Sequence, residues 1–357
     1  MQQDGTAMEA RAEAQRLVFM PFMFQGLRVL VNSGVLERIL EKGAEGISLD
    51  ALVADSEPLS PYAVRLLVDV GTACGVISTT DGLLTCTKVG WFLVRDELTR
   101  VNLRFTHSVC YKALYHLEEA LLTGKPAGLK ELGDWSTVYE GLSALPEEAK
   151  RDWFAFDHYY SDHAFEQALA YVFEHGPSRM LDIGGNTGKF ALACIRYNPY
   201  VRITICDLPG QLRQAVSNIE AAGIGDRVSG YAVNLLDPEA SLPECHDTAW
   251  MSQFLCCFSE EEIIRILTRV KDAVGENGRV FILDTFVDRQ QHDAASFSLV
   301  ATSLYFTAVA NGNSRMYRYE DLRRCIETAG LEIVSKIDGI GLGHTLLKCR
   351  TFRSADK

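Results

Sequence analysis

An almost continuous apolar helix pattern opens the chain. Between residues 10 and 34, hydrophobic side chains occupy nearly all faces of a helical register, as Leu17, Val18 and Phe22 illustrate. A helix that is apolar on most of its faces must be buried, and one this early in the chain has no core of its own. The pattern therefore predicts a helix covered by a partner chain, with burial inside its own domain as the alternative.

Two short helices and a hairpin follow this segment. Ser48 is placed to cap a helix that begins at Leu49, and Pro61 opens a second helical pattern. β-prone runs at 75–79 and 83–87 flank Asp81-Gly82, the best hairpin signal in the chain. Helix, helix and hairpin indicate a winged helix. Residues 46–93 carry two basic and five acidic side chains, so we expect no binding to nucleic acid.

The pattern changes again after a helical middle region at about 100–175. Residues 180–183 form a short apolar run, residues 184–188 a glycine-rich loop, and Phe190 opens a helix. Strand, glycine loop and helix are the first unit of a doubly wound α/β nucleotide-binding sheet. The next strand, at 201–206, leads into Asp207, where a carboxylate can accept both hydroxyls of a ribose.

Two features of the glycine loop indicate which kind of nucleotide it binds. The dinucleotide fingerprint G-x-G-x-x-G requires glycines where this chain has Asn186 and Lys189. Asp182 stands directly before the loop, where it would repel a diphosphate and attract a cation. S-adenosylmethionine carries a sulfonium, an ammonium and no phosphate. The loop and its two aspartates therefore predict S-adenosylmethionine as the cofactor, with S-adenosylhomocysteine as its product.

These motifs resemble those of the S-adenosylmethionine-dependent small-molecule O-methyltransferases, a family that includes caffeate and hydroxyindole enzymes. The similar segments are 181–188, Asp207-Leu208-Pro209, and 227–228 leading to 234–235. The resemblance implies a Rossmann-like class I methyltransferase sheet within residues 101–357, preceded by a winged-helix dimerisation domain at residues 1–100. It also implies a homodimer whose N-terminal helices intertwine and help to close the partner's pocket.

The resemblance further implies roles for individual residues. Asn234 stands where the family usually has an aspartate, and its amide carbonyl can still bind the adenine amino group. Phe258 matches the aromatic residue that follows the family's catalytic dipeptide. The implied cofactor contacts are Asp182, Gly184, Asp207, Leu208, Asn234, Leu235, Ser252 and Gln253, and the implied acceptor contacts are Phe156, His158, Tyr160 and Tyr305.

The catalytic positions depart from the family pattern. Cys256 replaces the histidine that serves as the general base, and Ser314 replaces a supporting glutamate. Asp284, at the end of the strand 280–283, matches the first supporting acid. A thiol with a pKa near 8.5 is a poor base at neutral pH. Cys256 is also compatible with an inert, buried thiol.

Three replacements for the missing base remain open. His163, His158 or His344 could remove the proton, and His163 shares one helical face with Phe156 and Tyr160. Alternatively, an acidic acceptor such as an enol could ionise without help. Finally, the methyl group could go to carbon or nitrogen of an electron-rich arene. We expect an enzyme that methylates a small aromatic hydroxylated acceptor. The alternatives are an enzyme that methylates carbon or nitrogen of an electron-rich arene, and a relative that binds the cofactor without transferring methyl.

The composition of the chain bears on its partners, its metal content and its location. With 47% hydrophobic and 23% charged residues, the 357-residue chain has a globular composition, and its net charge of −12 disfavours nucleic acid as a partner. Ten scattered cysteines include no C-x-x-C pair, so no metal site is expected. The polar start of the chain and the interruptions at Pro21, Gln25 and Arg28 predict a cytoplasmic protein with no membrane partner.

Overall fold

The computed structural model of the chain describes residues 6–352. It divides into two compact units, one ending at Arg104 and one beginning at Phe105. The boundary that the sequence predicts, after residue 100, falls inside the helix Glu97–Phe105.

The first unit combines helices with a small antiparallel sheet of order β1-β3-β2. Ser48 and Ser60 cap their helices by accepting from the backbone N–H groups of Ala51 and Ala63. Asp81 and Gly82 both have positive φ, as a two-residue hairpin turn requires. The elements are α1 (Ala7–Asn32), α2 (Val35–Glu41), β1 (Ile47–Ser48), α3 (Leu49–Ala54), α4 (Pro61–Ala73), β2 (Ile77–Thr80), β3 (Leu83–Cys86), α5 (Lys88–Arg95) and α6 (Glu97–Phe105).

The helix α1 leaves much of its apolar surface uncovered. Several large side chains close together in sequence are more than half exposed, and only Leu30 of this helix is buried. Exposed apolar surface of this extent marks an interaction site rather than an ordinary surface. The exposed residues are Leu17, Val18, Phe19, Met20 and Phe22.

The second unit is the predicted Rossmann-like α/β fold. Its helices are α7 (Leu117–Thr123), α8 (Val138–Gly141), α9 (Glu147–Val172), α10 (Lys189–Tyr197), α11 (Pro209–Ala221), α12 (Glu260–Val274), α13 (Asp293–Tyr305) and α14 (Tyr319–Thr328). Its strands are β4 (Arg179–Ile183), β5 (Arg202–Asp207), β6 (Val228–Ala232), β7 (Thr248–Ser252), β8 (Arg279–Asp284), β9 (Leu331–Ile340) and β10 (His344–Thr351).

The seven strands have the order β6-β5-β4-β7-β8-β10-β9. The first five are parallel, and β10 pairs antiparallel with both β8 and β9. Successive residues of the central strands enter separate cores, since Trp250 packs with Phe190 while Met251 packs with Ile282. From β4 the chain continues to β5 and β6 on one side, and it then crosses back to β7 on the other side of β4. Ligands bind in the crevice that such a reversal opens at the carboxyl ends of the strands.

One helical stretch among the described residues, Asp293–Ala310, is long and apolar enough to cross a membrane by length and composition. The bent pair α1 and α2 passes the same criterion when counted as one span. Core helices of globular proteins pass it too, so it is weak support for a membrane segment. Within 293–310, Thr302, Tyr305 and Phe306 line the cavity at the sheet crevice.

Candidate active site

A large cavity lies wholly within the second unit, at the carboxyl ends of β4, β5 and β7. One half is polar and is built by the loops after these strands. The other half is aromatic and is built by α9, by the end of α13 and by the residues around α8. A polar half next to an aromatic half fits two ligands of different chemistry that meet in the middle.

The glycine loop after β4 is shaped by close approach of its neighbours. Gly184 has a φ of +72°, and a Cβ there would lie 2.2 Å from the ring of Phe254. The next residues turn the chain, and the backbone N–H of Asn186 donates to Oδ2 of Asp207 at 2.8 Å. This hydrogen bond joins the loop after β4 to the end of β5. The loop therefore holds its backbone against the polar half of the cavity.

Three carboxyl groups converge on that polar half, with Asp182 buried and Asp157 and Asp207 half-buried. Burial raises the pKa of Asp157 to about 6 against the hydrogen bond from Asn186. Burial and the charge of Asp207 raise the pKa of Asp182 to about 8. Burial likewise raises the pKa of Asp207 to about 6, although two backbone N–H groups bind it. Each carboxylate is thus costly to ionise in this place.

No free cation offsets these carboxylates within residues 6–352. Lys189 is the one lysine or arginine that lines the cavity there, and its Nζ donates to Asp162 at 2.6 Å. Burial and the charge of Lys189 lower the pKa of His158 to about 4, so the imidazole is neutral at pH 7. The polar half of the cavity is therefore complementary to a positively charged ligand.

Buried polar atoms without hydrogen-bond partners are concentrated at the cavity. Such atoms cost stability unless a ligand or water satisfies them. Among the described residues seven are found, and five belong to residues that line the cavity: Tyr139 Oη, Asp182 Oδ2, Asn186 Oδ1, Ser252 Oγ and Gln253 Nε2. Gln253 and Asn186 also hold positive φ values of 49°. Strain and unmet polar groups at one place are typical of a binding site.

The aromatic half of the cavity forms a flat-sided slot. The rings of Phe105 and Phe156 stack at a centroid distance of 3.9 Å and an interplanar angle of 12°. Trp153 Nε1 donates to the hydroxyl of Tyr305 at 2.7 Å, which ties α9 to α13. Planar rings packed in this way are suited to a planar aromatic ligand.

Cys256 and Asp284 meet at the junction of the two halves. The Cys256 side chain lines the cavity, and the residue is 4% exposed. A hydrogen bond with Cys257, burial and the nearby charge of Asp284 raise the pKa of the Cys256 thiol well above its ordinary value. The thiol therefore stays protonated at neutral pH and is not itself a base.

Asp284 lies behind Cys256 and is 3% exposed. Burial raises its pKa to about 7, while hydrogen bonds from the Thr285 N–H and from the N–H and thiol of Cys256 act in the opposite direction. A carboxyl with this pKa exchanges a proton near neutral pH, as a general base must.

The structure brings most of the predicted site residues together. Those that line the cavity are Asp182, Gly184, Asp207, Leu208, Asn234, Leu235, Ser252, Gln253, Phe156, His158, Tyr305, Cys256 and Phe258. Asp284 does not line it and contacts it through Cys256. Ser314 is buried and is hydrogen-bonded to Asn311.

The expected places of Tyr160 and His163 need correction. Neither lines the cavity; His163 is exposed, with Nδ1 2.6 Å from the carbonyl oxygen of Tyr159. Each residue advances a helix by about 100°, so the stripe of Phe156, Tyr160 and His163 lies about one residue away from the stripe that faces the cavity. That stripe contains Asp157 and Ser161, and Phe156 stands at its edge. His344 is also absent from the lining, because it is fully buried elsewhere.

Sequence reasoning missed two polar residues of the site. Asp157 is a lone acid within the aromatic run 153–160, and that contrast was the available signal for it. Tyr139 carries no such signal, since it lies in a short helix whose position depends on tertiary packing. Groups of three or more His, Cys, Asp or Glu side chains that could hold a metal ion are absent from the described part of the chain.

Two family profiles match the chain. That of the O-methyltransferase domain matches residues 159–332, and that of a dimerisation2-like domain matches residues 11–83. The first match contains most of the cavity residues described above, and the second contains most of α1 together with β1, α3, α4 and β2.

Several of the proteins similar to this chain are methyltransferases. An L-tyrosine C(3)-methyltransferase of Streptomyces lavendulae is 24% identical over 78% of this chain and 77% of its own length. A 3-hydroxy-5-methyl-1-naphthoate 3-O-methyltransferase of Streptomyces sahachiroi is 29% identical over 78% of this chain and 79% of its own. The crystal structure of the S-adenosylmethionine-dependent methyltransferase SibL in its apo form has a TM-score of 0.71 and 26% identity, covering 95% of this chain and 98% of that one. The chain therefore carries an O-methyltransferase domain that follows a dimerisation2-like domain, and it is similar in sequence and fold to S-adenosylmethionine-dependent small-molecule methyltransferases.

Proposed function

We propose that this protein binds S-adenosylmethionine in the polar half of the cavity and transfers methyl to a small, planar, hydroxylated aromatic acceptor in the other half. The convergence of Asp157, Asp182 and Asp207 without a free cation carries the proposal. The sulfonium and ammonium of S-adenosylmethionine supply the missing positive charge. A diphosphate-bearing dinucleotide would add negative charge to a site that already has an excess.

The cofactor-binding residues follow from their positions at the strand ends. Asp207 ends β5, where its carboxylate could accept the ribose hydroxyls, and the family resemblance implies that Asn234 and Leu235, which line the cavity, would flank the adenine. Asp157 and Asp182 lie on the side of the glycine loop, where they can accept from the ammonium group. The unpaired side-chain atoms Ser252 Oγ and Gln253 Nε2 can form further hydrogen bonds with the ligand. When bound, the cofactor supplies an electrophilic methyl group on a positively charged sulfur.

The main contribution of the protein is the alignment of the acceptor. The packed rings of Phe105, Phe156 and Tyr305 form one wall of the slot, against which a planar ring can lie beside the polar half. Positioning of two reactants in line is worth on the order of 7 kcal/mol or more. Because the donor is already activated, we expect this alignment to contribute more to the rate than any other effect.

Asp284 serves as the proton acceptor through Cys256. As the acceptor's O–H bond breaks, an S–H bond forms at Cys256, and the proton originally on sulfur moves to the Asp284 carboxylate. The hydrogen bond between this thiol and this carboxylate supports the route. It replaces the missing histidine without requiring a thiolate.

Transfer to carbon is the second candidate. The absence of a histidine at the position of Cys256 favours it, since an electron-rich ring carbon attacks a methyl donor without prior loss of a hydroxyl proton. The similarity to the L-tyrosine C(3)-methyltransferase supports this candidate. Analysis of the methylated product distinguishes a methoxy group from a ring methyl group.

We also propose that the protein is a homodimer that associates through α1. The apolar surface of Leu17, Val18 and Phe22 and the dimerisation2-like match at residues 11–83 support this assembly. Light scattering should give twice the mass of 39.6 kDa. Ten cysteines without a disulfide among them fit a reducing cytoplasm as its location.

Thermal unfolding with added S-adenosylmethionine or S-adenosylhomocysteine tests the proposed function. Either ligand should raise the Tm, because ligands that bind the folded form alone stabilise it. Asp207→Ala should abolish the rise, and Cys256→Ala should leave it intact. No rise with either ligand at millimolar concentration would refute the proposal.

Radiolabelled methyl transfer to a panel of phenols tests the proton route. Asp284→Asn should keep the Tm rise and lower the turnover by about 100-fold or more, the usual worth of a general base. Cys256→Ser should retain more turnover than Cys256→Ala, because a hydroxyl can relay a proton and a methyl group cannot. Equal turnover of these two variants would contradict the relay.

A further inference from the structure

We propose that the acceptor carries no negative charge and presents an uncharged oxygen, a hydroxyl or a carbonyl, to the hydroxyl of Tyr139. This inference rests on the proposed function and adds the charge class of the acceptor and a residue that selects it. It therefore excludes aromatic carboxylates as good acceptors.

The charges around the cavity are predominantly negative. The acids that line it are Glu140, Asp157, Asp182, Asp207 and Glu262, of which Asp182, with a pKa of about 8, is mostly protonated at neutral pH. Opposing them, in the part of the chain that the structure describes, is Lys189, whose ammonium is engaged by Asp162. The neutral His158 adds no positive charge.

A carboxylate on the acceptor would thus lose its hydrating water molecules on entering the cavity and would gain no cationic partner there. Burying an unpaired ionised carboxylate is among the most costly events in a protein interior. It would also be repelled by Asp157 and by the other acids of the polar half. A neutral or cationic ring avoids both costs.

The hydroxyl of Tyr139 is available to a ligand in the cavity. It is buried, lines the cavity and, apart from a weak contact with the thiol of Cys257, makes no hydrogen bond with any residue between 6 and 352. It lies near Cys257 and Tyr305, at the aromatic half. Burial holds its pKa well above the ordinary value, so it remains a donor at neutral pH.

Tyr305 supplies a second donor beside it. Its oxygen already accepts from Trp153 Nε1, which leaves the Tyr305 proton directed elsewhere. Two neighbouring phenol donors without a cation match an uncharged oxygen atom, because a hydroxyl or carbonyl oxygen accepts hydrogen bonds without bringing a full charge into the slot.

Two naphthalene compounds test the charge class. Methyl 6-hydroxy-2-naphthoate and 6-hydroxy-2-naphthoic acid share the ring and the hydroxyl, and at pH 7.5 only the acid is ionised. Their affinities are measured by calorimetry on the full-length protein saturated with S-adenosylhomocysteine. The ester should bind more than about tenfold tighter than the acid, since the acid buries an unpaired charge. Equal affinity, tighter binding of the acid, or no binding of the ester at millimolar concentration overturns the inference.

Tyr139→Phe tests the selecting residue. It should weaken ester binding by about tenfold, the loss expected for one unmade hydrogen bond, and leave S-adenosylhomocysteine binding unchanged. Tyr200→Phe, at a side chain that is 89% exposed, is the matched control and should change neither affinity. Unchanged ester affinity in Tyr139→Phe overturns the role of this hydroxyl.

A titration with S-adenosylhomocysteine alone separates failure of cofactor binding from failure of acceptor selection. If that ligand does not bind, the proposed function fails, and the inference about the acceptor fails with it. If it binds but the ester shows no advantage over the acid, the inference alone fails.

Discussion

Individual aspartates determine what this cavity can hold. Asp182 and Asp207 were predictable from sequence, because each stands at the end of an apolar strand beside a glycine loop or a turn. Asp157 was not, because its orientation depends on the rotation of α9 about its axis, which packing determines. The pKa of each of these carboxyls is raised by burial. A cationic ligand reverses that effect.

Asp157→Asn should therefore weaken the binding of S-adenosylmethionine. The amide keeps the shape and removes the charge, so we expect a rise in the KM for the cofactor of about tenfold, with a smaller change in kcat. Steady-state kinetics at a saturating acceptor concentration measures both constants. His163→Gln on the same helix is the control and should leave both unchanged, since His163 lies outside the cavity. A KM affected equally by the two substitutions would count against the assignment.

At the scale of elements, the glycine loop after β4 depends on one aromatic neighbour. Gly184 combines a φ of +72° with the nearby ring of Phe254, so two separate constraints forbid a side chain. Gly223, after α11, has a similar φ of +70°, and a Cβ added there would have no neighbour within 4 Å. Comparing alanine substitutions at these two glycines separates the cost of backbone strain from the cost of a steric clash.

Gly184→Ala should destabilise the fold more than Gly223→Ala does. The control carries only the left-handed backbone cost, about 1 to 2 kcal/mol, whereas Gly184→Ala must also displace the Phe254 ring. Denaturant unfolding measures the free energy of both variants. Adding Phe254→Ala to Gly184→Ala should recover part of the loss, and equal destabilisation by the two single substitutions would disprove the clash.

Local signals in the sequence were enough to predict many of these elements. The cap at Ser48, the proline at the start of α4 and the turn at Asp81-Gly82 act through atoms a few residues apart, so the sequence specifies them directly. The family resemblance supplied the order of the domains and most of the proposed cofactor contacts. The place of Tyr139 and the distance of Tyr160 from the cavity arise from contacts between distant segments, which no local pattern records.

At the scale of the whole molecule, the raised carboxyl pKa values make stability depend on pH. In the folded chain the pKa values are about 6, 8, 6 and 7 for Asp157, Asp182, Asp207 and Asp284. In an unfolded chain the pKa of an aspartate is about 3.9. At these four carboxyls the folded chain holds more protons than the unfolded chain between about pH 4 and pH 8, so their contribution to the free energy of unfolding falls as the pH rises. The lowered pKa values of His158 and His344 act in the opposite direction below about pH 6.5.

Asp182→Asn should remove part of this dependence. One carboxyl contributes at most about 1.4 kcal/mol per pH unit, so between about pH 5 and pH 7 the variant should lose a slope of that order. Denaturant unfolding of the ligand-free protein at several pH values gives the slope for both proteins. The variant should also be more stable than the parent at about pH 8 and should bind S-adenosylmethionine less well. Identical slopes would show that Asp182 ionises normally.

The helix α9 contributes to both halves of the cavity at once. Trp153 and Phe156 belong to the aromatic slot, while Asp157, one residue further, faces the glycine loop. A compound that fixes the orientation of this helix at one end fixes it at the other. Donor and acceptor should consequently assist each other's binding, and thermodynamic reciprocity requires the same factor in both directions. An acceptor screened against the empty protein would then be undervalued, and so would a cofactor analogue tested without an acceptor.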